Sequence, residues 1–390
     1  MLPSDTIFII VDVALRGIMI KPLLLIWLIS LCLVRRRNDP ARVAFSYLNA
    51  ACPFLMVCLT LFVAGDAVAI AQTTLEQDDE TNNLLSDLQY RVYSVGYLFQ
   101  VVADILTVCC LVELGNGLLL SVKQQRTAFQ TVLRYVAIGV GSLIFVLSLA
   151  QFSIDNVQYT NYFNYLNHRL THYDYGGDTT APTFDYASFD HSLTIALDLS
   201  VTCDVLLLVT TAATLGYAAY VLHQCRSCPG LRNSTVLFLV ATILSLLRYS
   251  WAIAIDTAWE LPNVTMPLVY ADIVDPIINI WTFFVILVLL FVIGRRKQDG
   301  VWSTPQQWMS PDIMSQPGGQ PPQQWMNPDI VPQYVEQPPQ PVIWQSQQPI
   351  AHPSEIYTEL APPSELPGWQ NHQLEMPASM YSHPVEYIKR

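Results

Sequence analysis

Long apolar stretches alternate with short polar ones along the first three quarters of the chain, and the lengths of the apolar stretches carry the first inference. A helix that crosses ~30 Å of hydrocarbon at ~1.5 Å per residue needs about 20 mostly apolar residues. Seven stretches qualify, at roughly 14–34, 44–70, 94–120, 132–152, 195–222, 235–256 and 270–294. The pattern predicts an all-α membrane protein, a seven-transmembrane helix bundle over residues 1–297. From residue 298 to 390 proline and glutamine dominate and apolar periodicity vanishes, so that segment is expected to be a disordered cytoplasmic tail.

Orientation follows from Lys and Arg in the short loops, because these bases resist translocation. Arg35, Arg36, Arg37 and Arg42 follow the first stretch, Lys123, Arg126 and Arg134 the third, Arg226 and Arg232 the fifth, and Arg295, Arg296 and Lys297 the seventh. The alternate loops carry acids, with only Arg91 and Arg169 as bases. The N-terminus is therefore expected outside and the tail inside. The first residues, MLPSDTIF, lack a basic stretch, so the first helix is expected to act as an uncleaved anchor. Of two N-x-[ST] sequons, Asn263 falls on the expected outer side, as a glycosylation candidate, and Asn233 on the inner.

Composition sharpens the class. The chain is 52% hydrophobic and 13% charged, about half the charged share of an ordinary soluble domain. Its net charge of −12, with acids crowded into one set of loops and the tail, argues against nucleic acid as a partner. By these spans the cysteines lie in helices or at cytoplasmic ends, which leaves no extracellular disulfide framework.

Several charges fall inside the apolar stretches. Counted from the cytoplasmic ends, Arg248 lies ~20 Å and Asp104 ~24 Å deep, with Asp204 and Asp275 at ~26 to 28 Å. An unpaired charge at such depth costs ~2.5 kcal/mol or more, so each is expected to face the bundle interior with a partner. Arg248 with Asp104 is the leading pair, as a register-fixing ion pair or as the floor of an outward cavity, and Asp204 and Asp275 are competing partners. Asp66, Asp198, Asp256, Glu260 and Asp272 are expected to line an acidic outer mouth or, for the outermost, to be ordinary interfacial residues. Arg16 and Lys21 are expected to snorkel or to pair with Asp12.

Other motifs mostly exclude. The seventh stretch has no lysine for retinal, and the last two have no histidine pair of the type used by seven-helix hydrolases. His168, His172 and His191 share one loop without cysteines, so no zinc site is expected and no cofactor is implied. Glu113-Leu-Gly-Asn-Gly stands where rhodopsin-like receptors carry Asp-Arg-Tyr, without the arginine. Pro276, after Asp275, reads as a helix-start or kink proline. Cys225-Arg-Ser-Cys228 is a lone CxxC, a candidate for palmitoylation or a pair of inert thiols.

Residues 151–191 form a long outer segment rich in Tyr and Phe, expected to fold as a lid with a short amphipathic helix over 157–172, or to form an interfacial belt. In the tail PQQWMSPDI, starting at Pro305, recurs as PQQWMNPDI from Pro322, and Tyr357-Thr-Glu-Leu360 fits a sorting signal read by clathrin adaptors.

The end of the last span, Ile293-Gly-Arg-Arg-Lys-Gln-Asp-Gly-Val-Trp-Ser-Thr304, resembles that of the uncharacterised seven-span integral membrane proteins of filamentous fungi. The resemblance extends to acidic outer loops and a low-complexity tail, and it implies a receptor-like topology without site residues. The leading expectation is an orphan receptor-like sensor of a small or amphipathic molecule, in the plasma membrane or an endomembrane, with the bilayer and cytoplasmic signalling or adaptor proteins as partners. The alternatives are a small-molecule or lipid transporter and a membrane-embedded, acid-dependent enzyme such as a cyclase.

Overall fold

A computed structural model describes residues 4–34, 43–74, 79–123, 127–173, 184–226, 228–262, 264 and 266–295. The described elements are all helical: α1 (Ser4–Val34), α2 (Val43–Thr74), α3 (Asp79–Lys123), α4 (Ala128–Tyr173), α5 (Tyr186–Cys225), α6 (Pro229–Ile255) and α7 (Thr282–Arg295). Three π-helical turns, Asp256–Glu260, Tyr270–Val274 and Pro276–Trp281, lie between α6 and α7. These elements belong to one compact unit.

Hydrocarbon offers no partner to a backbone N–H or C=O group, so an apolar stretch of this length satisfies its own backbone as a helix. Six helical stretches are long and apolar enough to cross a membrane: Val43–Thr74, Thr81–Lys123, Ala128–Leu166, Tyr186–Cys225, Gly230–Glu260 and Tyr270–Arg295. The first helix, which carries Asp12, Arg16 and Lys21, is not among them. The chain is therefore a helical, multi-pass membrane protein.

Polar residues set the helix starts. Before α4, Thr127 Oγ1 accepts from the Gln130 N–H at 3.4 Å while Gln130 Oε1 accepts from the Thr127 N–H at 3.0 Å, a reciprocal capping box. Asp185 caps α5 by accepting from the Ser188 N–H at 3.1 Å. Pro229 opens α6, where its missing N–H costs nothing.

Helices adjacent in sequence pack against each other, α1 also meets α7, and α3 touches α2, α4, α5 and α6 and so forms the axis of the bundle. The shared core runs through Leu23, Phe45, Leu48, Leu111, Leu114, Phe238, Phe283 and Leu287, all nearly inaccessible. Helix α5 comes close to α3 because Gly115 has no side chain: a Cβ there would lie 2.5 Å from the Tyr217 ring. Tyr217 is fixed in that place by donating its hydroxyl to Asn116 Oδ1 at 2.7 Å.

Of the segment expected as a lid, 151–191, the described residues are mostly helical: α4 continues to Tyr173 and α5 begins at Tyr186, while 174–183 lie outside the described residues. α4 runs through the aromatic segment to Tyr173, and the short helix expected over 157–172 is its last turns. At 45, 46 and 40 residues, α3, α4 and α5 are about 60 to 70 Å long, twice the hydrocarbon thickness. They extend on the side where α3 and α5 begin and α4 ends. There Tyr159, Tyr162 and Phe163 of α4 form an apolar cluster with Tyr90, Phe184 and Phe189. The Tyr90 and Tyr159 rings stack at 3.6 Å, and Tyr162 stacks on Phe189 at 5.4 Å. Aromatic pairs add to area burial, so the cluster can hold the three helices together where lipid does not.

Candidate functional site

α3 and α6 present opposite charges to each other in the interior. Arg248 of α6 and Asp104 of α3 are each 3% exposed. The guanidinium meets the carboxylate with both terminal nitrogens, Nη1 on Oδ1 and Nη2 on Oδ2, the latter at 3.0 Å. Such a fork-to-fork pair fixes direction as well as distance. The remaining nitrogen, Nε, donates to Asn279 Oδ1 at 2.5 Å. The cation sits 4.2 Å from the Phe283 ring centroid and 5.2 Å from that of Tyr249, both within cation–π range. Tyr249 lies beside Asp104 as well.

The π-helical turns position the α7 side of this network. Asn279 lies in Pro276–Trp281, and Asp275 joins it to the preceding turn. Asp275 has no ion pair with Arg248: it lies beside Asn279 and accepts from Trp251 Nε1 at 3.1 Å. The partner of Arg248 on this side is Asn279, and Asp275, a competitor in the sequence expectation, stands next to that residue. Asp204, the other competitor, is half-buried on α5 and lies beside Asp256 at the end of α6. Pro276 is buried within its π-helical turn.

A second ion network joins α1, α2 and α3. Arg16 Nε lies 2.7 Å from Asp12 Oδ1 one turn earlier, and its Nη1 lies 3.9 Å from Asp66 Oδ2. Tyr93 donates its hydroxyl to Asp66, and Phe62 lies under the guanidinium at 5.0 Å. Asp66 and Asp256 were expected at an acidic mouth and are instead buried at 3% and 5% exposure. Glu260 and Asp272 are half-buried, Asp198 and His191 are exposed, and Lys21 is exposed on α1.

A third pair lies near the other end of the bundle. Arg134, read from sequence as a base flanking a loop, sits on α4 with its Nε 3.2 Å from Glu113 Oε1 of α3. Sequence reasoning did not pair these two, although Glu113 stands ten residues inside the end of α3, far enough in to need a partner. Nor did it find Asn279, Tyr249 or Tyr93, because neutral polar residues in an apolar run give no depth signal of their own.

Two narrow gaps lie between the helices: one, lined by Tyr47, Glu113 and Arg134, is too tight for a water molecule, and the other, lined by Ile105, Gly141 and Leu207, has about 10 Å³ of free space. Neither includes Arg248 or Asp104. Among the described residues no His, Cys, Asp or Glu group is arranged to hold a metal ion. Asn263, Tyr357 and Leu360 lie outside the described residues.

Comparisons with protein families, with curated proteins and with solved structures give no match for this chain, so what the sites do is argued from their chemistry.

Proposed function

We propose that the chain is a receptor-like multi-pass membrane protein that crosses the bilayer seven times, with its N-terminus outside, and senses a small or amphipathic molecule from the outer side. One observation carries the reading. A single buried guanidinium ties α3 to α6 and, through Asn279, to the π-helical approach to α7. π-Helical turns within helices recur at functional sites. A network of this kind has two discrete arrangements, closed with Arg248 on Asp104 and open with the two apart. A ligand that binds one arrangement better shifts the balance between them. α1 supplies the seventh span: its 31 residues are long enough, and Asp12 offsets Arg16 within the helix. The plan is the one implied by the resemblance to the seven-span proteins of filamentous fungi.

Transport is the second reading, and the tally of buried charge favours it. Asp12, Asp66 and Asp104 are buried around Arg16 and Arg248, and Asp256 is buried beside Asp204, an excess of acids of the kind expected along an ion or proton path. One experiment separates the two. The full-length chain in lipid nanodiscs is screened for thermal stabilisation against small amphipathic compounds, and each hit is offered to proteoliposomes of the same protein. The sensor reading expects stabilisation that is lost in Asp104→Asn, with no uptake. Accumulation of the compound inside the vesicles overturns it in favour of transport.

A further inference from the structure

We infer that Cys225 and Cys228 form a reversible disulfide site at the corner between α5 and α6, with Cys228 as the attacking thiol and Cys225 as the resolving one. The sequence offers the pair as a lone CxxC, Cys225-Arg226-Ser227-Cys228. In the folded chain Cys225 is the last residue of α5 and Cys228 the N-cap of α6. The Cys228 N–H donates to the Cys225 carbonyl at 3.0 Å and closes a turn between the two helices. Such a turn keeps its first and last Cα atoms within about 7 Å, the separation a disulfide spans. Both side chains share one apolar neighbourhood: Cys225 is fully buried in the shared core, and Cys228 packs against that core from its edge.

Burial divides the roles. Among the described cysteines Cys228 is half-exposed and the others are buried. A dissolved disulfide therefore reaches Cys228 and not Cys225. Charge favours the same residue, because reactive thiolates sit in positive surroundings. Cys228 stands at the positive end of the α6 dipole, with Arg226 two positions before it and Arg232 four after. Its side chain makes no capping hydrogen bond, so the sulfur is not committed to the helix start.

The chemistry is thiol–disulfide exchange with a small disulfide of the glutathione type. The Cys228 thiolate bonds to one sulfur of that disulfide and expels the other half as a thiolate. The Cys225 thiolate then bonds to the Cys228 sulfur and expels the second half. Two cysteine thiols are oxidised to one disulfide, one external disulfide is reduced to two thiols, and the two cysteine protons pass to the departing thiolates. The bond fastens the end of α5 to the start of α6, the helix that carries Arg248. It depends neither on the Arg248 network nor on the sensor reading.

The test uses the full-length chain in mild detergent, equilibrated with mixtures of reduced and oxidised glutathione, quenched in acid, alkylated, and digested with trypsin and chymotrypsin for mass spectrometry. Trypsin cuts after Arg226, so a closed bond joins two separate peptides. The joined pair is expected to rise with the oxidised share and to vanish with dithiothreitol. Cys225→Ala is expected to hold glutathione on Cys228 about tenfold above the natural chain, because no resolving thiol displaces it. Cys228→Ala is expected to leave Cys225 unmodified. Both thiols open to alkylation at every ratio, or glutathione resting on Cys228 of the natural chain while Cys225 stays free, overturns the site. Glutathione on Cys225 in Cys228→Ala overturns the division of roles. If either variant fails to fold, the natural chain alone decides whether the bond forms.

Discussion

Arg248 must place every donor of its guanidinium against an acceptor or a ring, because no water competes for them at 3% exposure. Asp104, Asn279 and the Phe283 face do so together, which makes the residue costly to leave half-paired. Removing one member of a buried pair leaves an uncompensated charge, worth about 3 to 5 kcal/mol, whereas replacing both with apolar residues is often neutral. Asp104→Ala is therefore expected to lower the thermal midpoint in detergent sharply, and Arg248→Leu with Asp104→Leu to recover most of the loss. A double variant no more stable than Asp104→Ala would show that the pair does not carry its own desolvation cost. Asn279→Ala removes one hydrogen bond to a charged group and is expected to cost about 1.5 to 3 kcal/mol in the same measurement. Depth counted along α3 and α6 puts Arg248 and Asp104 within ~4 Å of each other's level, close enough for an arginine side chain to span, and in the folded chain they touch. The part played by Asn279 was illegible, because it depends on the π-helical turn that rotates this residue into place, and a hydrophobic pattern contains no trace of that turn.

Helix existence was legible at the scale of elements and helix ends were not. The apolar stretch ends near residue 152, but α4 continues to Tyr173. Polarity marks where lipid stops, not where backbone hydrogen bonding stops, and α3, α4 and α5 carry on by burying Tyr and Phe against one another. Tyr162, 5% exposed at the centre of that contact, offers a test. Tyr162→Ala is expected to cost about 3 kcal/mol locally, read as faster amide hydrogen exchange in the last turns of α4 and the first turns of α5. Unchanged exchange there would mean that the aromatic stack does not hold the extensions. Exchange in the Leu111 to Leu118 stretch of α3 is expected to stay slow. At the other end of α4, Thr127→Ala breaks the capping box and is expected to cost about 1 kcal/mol of stability.

For the molecule as a whole, the sequence makes plain that apolar helices must bury themselves in a membrane, and six helices carry that conclusion in the structure. Whether α1 crosses as well turns on Asp12 and Arg16, whose mutual 2.7 Å pairing is invisible to any hydropathy average. The proposed orientation makes an expectation of its own: in a glycosylating host, glycan attaches at Asn263 and not at Asn233, scored by mass spectrometry of tryptic peptides. Glycan on Asn233 would invert the map. The three long helices also have a mechanical consequence. Joined by their stacked rings, they run past the apolar stretches of the sequence, α4 by ~30 Å from about residue 152 to Tyr173, so a tilt of about 5° at that base sweeps the far tip of α4 through roughly 3 Å. A spectroscopic label at the tip would therefore report rearrangements too small to see at their origin.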